Sequence, residues 1–241
     1  MKIESMQNEH LKYLMKLKEK KYRDQEGLFL IEGDHLIKEA LNYGLVQEIV
    51  SLKKIDVPVK NIVVNEQIMK KLSFQVSIPS QMAVVKKLEE KPLEGTILFL
   101  DGIQDPGNLG TIIRSAIAFQ VKQIVLSKDS VDLYNDKVLR STQGMLFQVN
   151  ILRRETSPFL SNLKEAGYKI YGSDVRNGED VSNINFDPKT CIVIGSEGKG
   201  MKEETRKLVD KNIYIKMAST CESLNAGVAA SIILYERSKH L

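Results

Sequence analysis

The sequence predicts an α/β protein: a mostly parallel sheet with helices on both faces, preceded by a small α/β domain. Three observations carry this. Beyond residue 96, short apolar runs alternate with amphipathic stretches of helical period. Between residues 86 and 95 lies Lys-Lys-Leu-Glu-Glu-Lys-Pro-Leu-Glu-Gly, charged, aperiodic and broken by Pro92 and Gly95, which reads as a linker. Three distinctive loops each follow a strand-like run, where ligands gather in such sheets.

Before the linker, Asp34 to Asn42 reads as a helix, Val46 to Ser51 and Ile62 to Val64 as strands, and Glu66 to Leu72 as a short helix. After it, strands are expected at 97–100, 123–127, 148–152, 168–172, 191–195 and 212–216. Helices are expected at 108–119, near 135–140, and at 157–166, 202–210 and 224–238. The last helix is apolar nearly all round (Ala226, Val228, Ala229, Ala230, Ile232, Ile233, Leu234), so it is buried either within the monomer or against a second subunit.

Composition narrows the class. The chain has 241 residues, 42% of them apolar, no tryptophan and a net charge of +4. No segment approaches the roughly 18 uninterrupted apolar residues of a membrane span, and the start lacks a secretion-signal pattern, so a soluble cytoplasmic protein is expected. Cys191 and Cys221 stand apart from each other and from any histidine, which argues against a disulfide or a metal site. Acids and bases nearly balance in both halves, so an anionic partner would meet a local patch. The stretch Lys12, Lys16, Lys18, Lys20, Lys21 and Arg23, with Tyr13 and Tyr22 interleaved, is such a patch: lysines neutralise phosphates and tyrosines stack on unpaired bases. It reads equally well as the solvated face of a helix whose apolar side is Leu11, Leu14, Met15 and Leu17.

The first loop, Asp101-Gly-Ile-Gln-Asp-Pro-Gly-Asn-Leu-Gly110, turns sharply into a helix carrying Arg114, with Asn108 as the expected N-cap. The second, Gly195-Ser-Glu-Gly-Lys-Gly200, has neither the spacing nor the hydroxyl of a phosphate-binding P-loop, and no Gly-x-Gly-x-x-Gly follows any strand. What remains is a turn that exposes main-chain groups beside Glu197. The third, Ile215 to Asn225, offers Ser223 or Asn225 as the cap of the apolar helix, whose N-terminus is also suited to a phosphate.

Taken in order, Asp105-Pro-Gly-Asn-Leu-Gly-Thr-Ile-Ile-Arg-Ser115, Ile192-Val-Ile-Gly-Ser-Glu-Gly-Lys-Gly-Met201, and Ile215-Lys-Met through Ser223-Leu-Asn-Ala226 resemble the three motifs of the SpoU/TrmH-type ribose 2'-O-methyltransferases of the SPOUT superfamily. The resemblance covers residues 97 to about 240. The segment before the linker resembles, more loosely, that family's ribosomal-protein-like substrate-binding domain. Ser141-Thr-Gln-Gly-Met145 departs from the small-residue run of many relatives.

The resemblance implies an RNA substrate-binding domain at 1–90 and a methyltransferase domain at 96–241 with a C-terminal trefoil knot. S-adenosylmethionine would lie against Gly195, Ile215 and Leu224, with Ser173, Glu197 and Met217 as further contacts. Arg114, with Asn108, would serve catalysis; because an arginine is hard to deprotonate, stabilisation of developing negative charge suits Arg114 better than the part of a base. Ser223 and Asn225, together with Lys16, Lys20, Lys21 and Arg23, would contact RNA. A homodimer, no metal and a 23S-type rRNA substrate are further implications, with tRNA methylation and a non-catalytic RNA-binding or ribosome-assembly role as alternatives.

Overall fold

The computed structural model describes residues 1–239. His240 and the last residue of the expected 96–241 domain lie outside that range. The chain divides into two compact units, one of residues 1–88 and 132–147, the other of 89–131 and 148–241. The segment 132–147, expected in the C-terminal domain, therefore packs with the first unit.

The first unit runs β1 (Lys2–Ile3), α1 (Glu9–Lys16), α2 (Lys20–Glu26), β2 (Leu28–Glu32), α3 (Asp34–Asn42), β3 (Val46–Ser51), β4 (Lys60–Val64), α4 (Glu66–Leu72) and β5 (Gln81–Lys86). Its sheet has the order β1-β4-β3-β5-β2; β4 runs parallel to β1 and β3, and β5 antiparallel to β3 and β2. The expected elements at 34–42, 46–51 and 66–72 form as read. Strands β2 and β5 do not show in the sequence pattern, because Phe29 to Ile31 and Met82 to Val85 are short buried apolar runs without period, and the end of β5 merges with the linker.

The second unit runs β6 (Ile97–Asp101), α5 (Pro106–Ala118) and β7 (Gln123–Ser127), and, after the excursion through α6 (Asp136–Ser141), β8 (Asn150–Arg154), α7 (Thr156–Glu165) and β9 (Lys169–Ser173). It ends with β10 (Glu179–Asp180), β11 (Thr190–Gly195), α8 (Glu203–Arg206), β12 (Lys211–Tyr214) and α9 (Ala226–Ser238). All its strands are parallel, in the order β10-β12-β9-β11-β6-β7-β8. Parallel strands covered on both sides read as unbroken apolar runs, and β6 and β11 are buried at every residue. Phe99, Ile97, Cys191 and Val193 pack with Leu160 and Ile170 in one cluster; side chains of this size stabilise by roughly 1.5–3 kcal/mol each when buried.

Two helix ends differ from expectation. The N-cap of α5 is Asp105, not Asn108: the Asp105 carboxylate accepts the Asn108 N–H at 2.8 Å and Pro106 occupies the first helical position, where its missing N–H costs nothing. The helix expected over 202–210 closes after one turn. The Asp210 carboxylate accepts the Ile170 N–H at 2.8 Å and draws the chain into β12.

Register brings the strand ends level. Asp101 of β6 pairs with Gly195 of β11, and Ser173 of β9 pairs with Ile213 of β12, so the three loops leave from one edge of the sheet.

Candidate active site

At the carboxyl ends of β9, β11 and β12 the second unit holds a cavity of about 280 Å³. Ser173, Gly195, Glu197, Ile215, Met217 and Leu224, the six positions expected to hold cofactor, all line it, as does Ser223. Its apolar wall is completed by Ile194, Ile213, Ala226, Ala229 and Ile233.

Backbone packing explains why glycine stands at 195. A Cβ there would collide with the main chain of Gly200 and Met201, which folds back in a tight antiparallel bridge: Ser196 N–H donates to Gly200 O at 3.0 Å and Gly200 N–H to Ser196 O at 2.9 Å. Gly200 sits at φ +65°, open to glycine at little cost.

Asn108 ties the loops together. Buried in the first turn of α5, it donates through Nδ2 to Glu197 Oε1 at 2.6 Å and accepts at Oδ1 from Asn225 Nδ2 at 2.8 Å. Asn225 in turn caps α9, its Oδ1 accepting from the N–H groups of Gly227 (2.9 Å) and Val228 (3.2 Å). Of the two caps the sequence offered, Asn225 is the one used. Arg114, two turns along α5 from Asn108, is exposed and makes no hydrogen bond or ion pair among the described residues.

A second network, invisible in the motifs, anchors the loop after β11. Asp101 is fully buried; its Oδ2 accepts from Lys202 N–H at 2.8 Å and Thr205 Oγ1 at 2.6 Å. The Lys202 ammonium spans Asp101 (3.5 Å) and Asp129 (2.7 Å). Burial alone would lower the Lys202 pKa, but the hydrogen bond it donates to Asp129 and the charge of Asp101 outweigh burial and raise it. The signal was present: a carboxylate ending an otherwise apolar strand must find buried donors.

Three carboxylates, Asp174, Glu197 and Glu222, also line the cavity; only Glu197 was anticipated. Burial raises Asp174, yet the Arg176 N–H and the Arg206 guanidinium hold its pKa below the ordinary value. An apolar slot rimmed by carboxylates and exposed main chain suits a flat heterocycle joined to a cationic centre, which is the chemistry of S-adenosylmethionine. No group of three or more His, Cys, Asp or Glu with metal-holding geometry occurs among the described residues.

In the first unit the predicted basic patch separates into unlike parts. Lys20 pairs with Asp24, while Lys16 and Lys21 make no ion pair among the described residues and stand over the Tyr22 ring. Arg23 corrects the expectation of an RNA contact: it is buried, donates to the carbonyls of Leu17 and Lys18, and pairs with Asp132 at 2.6 Å, so its charge is spent inside the unit. Helix α9 buries Ala226, Gly227, Ala230, Ile233 and Leu234 but leaves Val228 and Tyr235 exposed, less enclosed than its composition suggested.

Residues 95–235 match the model of the SpoU rRNA Methylase family. The chain belongs to that family. Residues 8–83 match the MRM3-like substrate binding domain. Among relatives of this SpoU protein, the 23S rRNA (guanosine(2553)-2'-O)-methyltransferase RlmP of Bacillus subtilis is 35% identical, with 97% of each chain covered. A putative TrmH family tRNA/rRNA methyltransferase of Staphylococcus aureus is 31% identical over 88% of this chain and 96% of its own. Among solved structures, an AdoMet-bound rRNA methyltransferase from Sinorhizobium meliloti superposes with a TM-score of 0.89 at 26% identity, covering 100% of this chain and 98% of that one. The SpoU methyltransferase AviRb from Streptomyces viridochromogenes, in complex with AdoMet, gives 0.84 at 26% identity, over 97% and 98%. No helix among the described residues is long and apolar enough to cross a membrane.

Proposed function

We propose that this SpoU protein transfers the methyl group of S-adenosylmethionine to a ribose 2'-hydroxyl of RNA, with 23S-type rRNA as substrate. The observation that carries this is the convergence of three loops on one carboxylate-rimmed cavity, cross-linked through Glu197, Asn108 and Asn225. Likeness along nearly the full chain to a 23S rRNA 2'-O-methyltransferase supports the substrate class.

When bound, S-adenosylmethionine supplies an electrophilic methyl group on a sulfonium. The chain's own part is to hold and align. Ile215, Met217 and Leu224 would enclose the adenosyl moiety with main-chain groups of their loop, Gly195 and Ser173 would form its floor, and Glu197 would face its positive charge. Arg114, unpartnered among the described residues, would take an RNA phosphate or ribose oxygen and stabilise the negative charge that grows on the acceptor. Ser223 would contact RNA phosphate at the mouth of the cavity, and Asn225 would fix the loop that carries it. The reading extends to a knotted C-terminal segment, a homodimer formed in part through the exposed Val228 and Tyr235 face of α9, and a cytoplasmic place of work.

The test is transfer of radiolabelled methyl groups to total RNA from a deletion strain, with 2'-O-methyl sites mapped in both strains. Recovery of one lost mark in 23S rRNA is the expected result. Label entering tRNA or protein instead would overturn the substrate, and no transfer would overturn the enzyme.

A further inference from the structure

A second pocket lies in the first unit, far in sequence from the methyltransferase motifs. Tyr13, Lys16, Leu17, Tyr22, Gln25 and Glu26 of α1, α2 and their connection line a recess of about 100 Å³. Its floor is apolar, since Leu17 is fully buried. The Lys16 ammonium stands 5.6 Å and the Lys21 ammonium 5.8 Å from the centre of the Tyr22 ring, and neither makes a hydrogen bond or ion pair among the described residues.

Three of the acids nearby are engaged, while the Glu19 carboxylate makes no hydrogen bond or ion pair among the described residues. Glu9 is held by Lys12, Asp24 by both Lys20 and Lys87, and Glu26 accepts the Tyr13 hydroxyl at 3.1 Å through one oxygen only. What else remains without a hydrogen bond or ion pair among the described residues is the pair of ammonium groups over the Tyr22 ring, the Gln25 amide and the second Glu26 oxygen. A recess this size admits about one flat ring system. The amide and carboxylate meet the donor and acceptor edge of a base, and the ammonium groups meet the phosphates on either side of it.

We propose that this pocket holds one unpaired nucleobase of the RNA substrate, stacked on Tyr22, with its flanking phosphates on Lys16 and Lys21. The inference rests on the reading of the protein as an RNA methyltransferase, and it adds a nucleotide-holding site in the first unit. Within the predicted basic patch it selects Lys16, Lys21 and Tyr22 over Lys20 and Arg23, whose charges are taken.

The chain contains no tryptophan, so Tyr22→Trp in the full-length protein introduces a single indole at the pocket. Titration with a short single-stranded oligoribonucleotide should quench its emission saturably. The same sequence as a duplex, or an abasic strand carrying only phosphates, should leave emission unchanged. By direct binding, Tyr22→Phe should match the wild type and Tyr22→Leu should lose about tenfold in affinity. Lys16→Ala with Lys21→Ala should reduce the slope of log affinity against log salt by about two.

Equal quenching by duplex and single strand, or a Tyr22→Leu variant that binds single strands like the wild type, overturns the site and leaves at most a backbone contact. Should Tyr22→Leu fail to fold, the indole titration and the double lysine variant decide alone. Calorimetric S-adenosylmethionine binding, measured on the same proteins, separates the two failures. Cofactor binding with no effect at Tyr22 ends this proposal only, whereas a wild type that neither binds the cofactor nor transfers methyl ends the enzymatic reading.

Discussion

Asn225 Nδ2 donates to Asn108 Oδ1 at 2.8 Å across 117 residues of sequence, and this bond joins the cap of α9 to the first turn of α5. Asn225 spends its oxygen on the N–H groups of Gly227 and Val228, and Asn108 spends its own Nδ2 on Glu197, so each amide uses both its oxygen and its nitrogen. Asn225→Ala should cost about 1–2 kcal/mol through the lost cap, and Asn108→Ala about 1–3 kcal/mol through partners left unsatisfied. Because the two share a bond, a double-mutant cycle in urea should give a coupling of about 0.5 kcal/mol or more. Strict additivity would show that the amides act independently.

Arg114 invites a different experiment, since it is exposed and unpaired among the described residues. Arg114→Ala should leave the melting temperature and S-adenosylmethionine affinity unchanged while methyl transfer falls by about 10²–10³, the size expected when a charge-stabilising donor is removed. Arg114→Lys should recover part of that rate, because it restores charge without the planar fork. A variant that loses cofactor but keeps turnover would refute this role.

The strands of the second unit were legible because parallel strands buried on both faces are written as continuous apolar runs, as in Ile97 to Leu100 and Cys191 to Ile194. Strands β2 and β5 were not, since short apolar runs lack a period that separates strand from helix. The true cap of α5 was available in the sequence: Pro106 at the first helical position marks Asp105, not Asn108, as the residue before it. Arg23 and Lys16 look alike in a basic stretch, and only packing assigns one to the interior and the other to solvent. Asp174 enters the cavity from a segment without a motif, and Glu222 from within the third loop but at a position with no spacing to mark it, so chain closure alone reveals them.

Close approach at Gly195 sets a steric prediction. Gly195→Ala drives a methyl group into the main chain of Gly200 and Met201, which cannot swing aside as a side chain would. Overpacking of this kind costs about 1–3 kcal/mol, or roughly 2–12 °C in a protein of this size, and the shifted loop should weaken cofactor binding at least tenfold. Gly198 in the same loop has open space around its Cβ position, so Gly198→Ala should leave thermal stability unchanged. Equal melting of the two variants would mean that the loop yields at 195 without cost.

The pairing of Lys202 with Asp129 fixes a pH window for the loop after β11. Burial raises the Asp129 carboxyl, but hydrogen bonds from Lys202 and Ser127 outweigh it and hold its pKa below the ordinary 3.8. A carboxyl depressed in the folded state stabilises above its unfolded pKa, and the contribution disappears as pH falls through the folded value. Lys202 is raised above the ordinary 10.5, so its contribution is complete below that value and disappears as pH rises through the folded pKa. The tether is therefore intact from about pH 4 to about pH 10 and fails only outside those limits. The stability difference between wild type and Lys202→Ala, followed by thermal melting, should stay constant from about pH 5 to about pH 9 and narrow beyond both ends. A difference that changes near neutrality would mean that some other group, and not this pair, holds the loop.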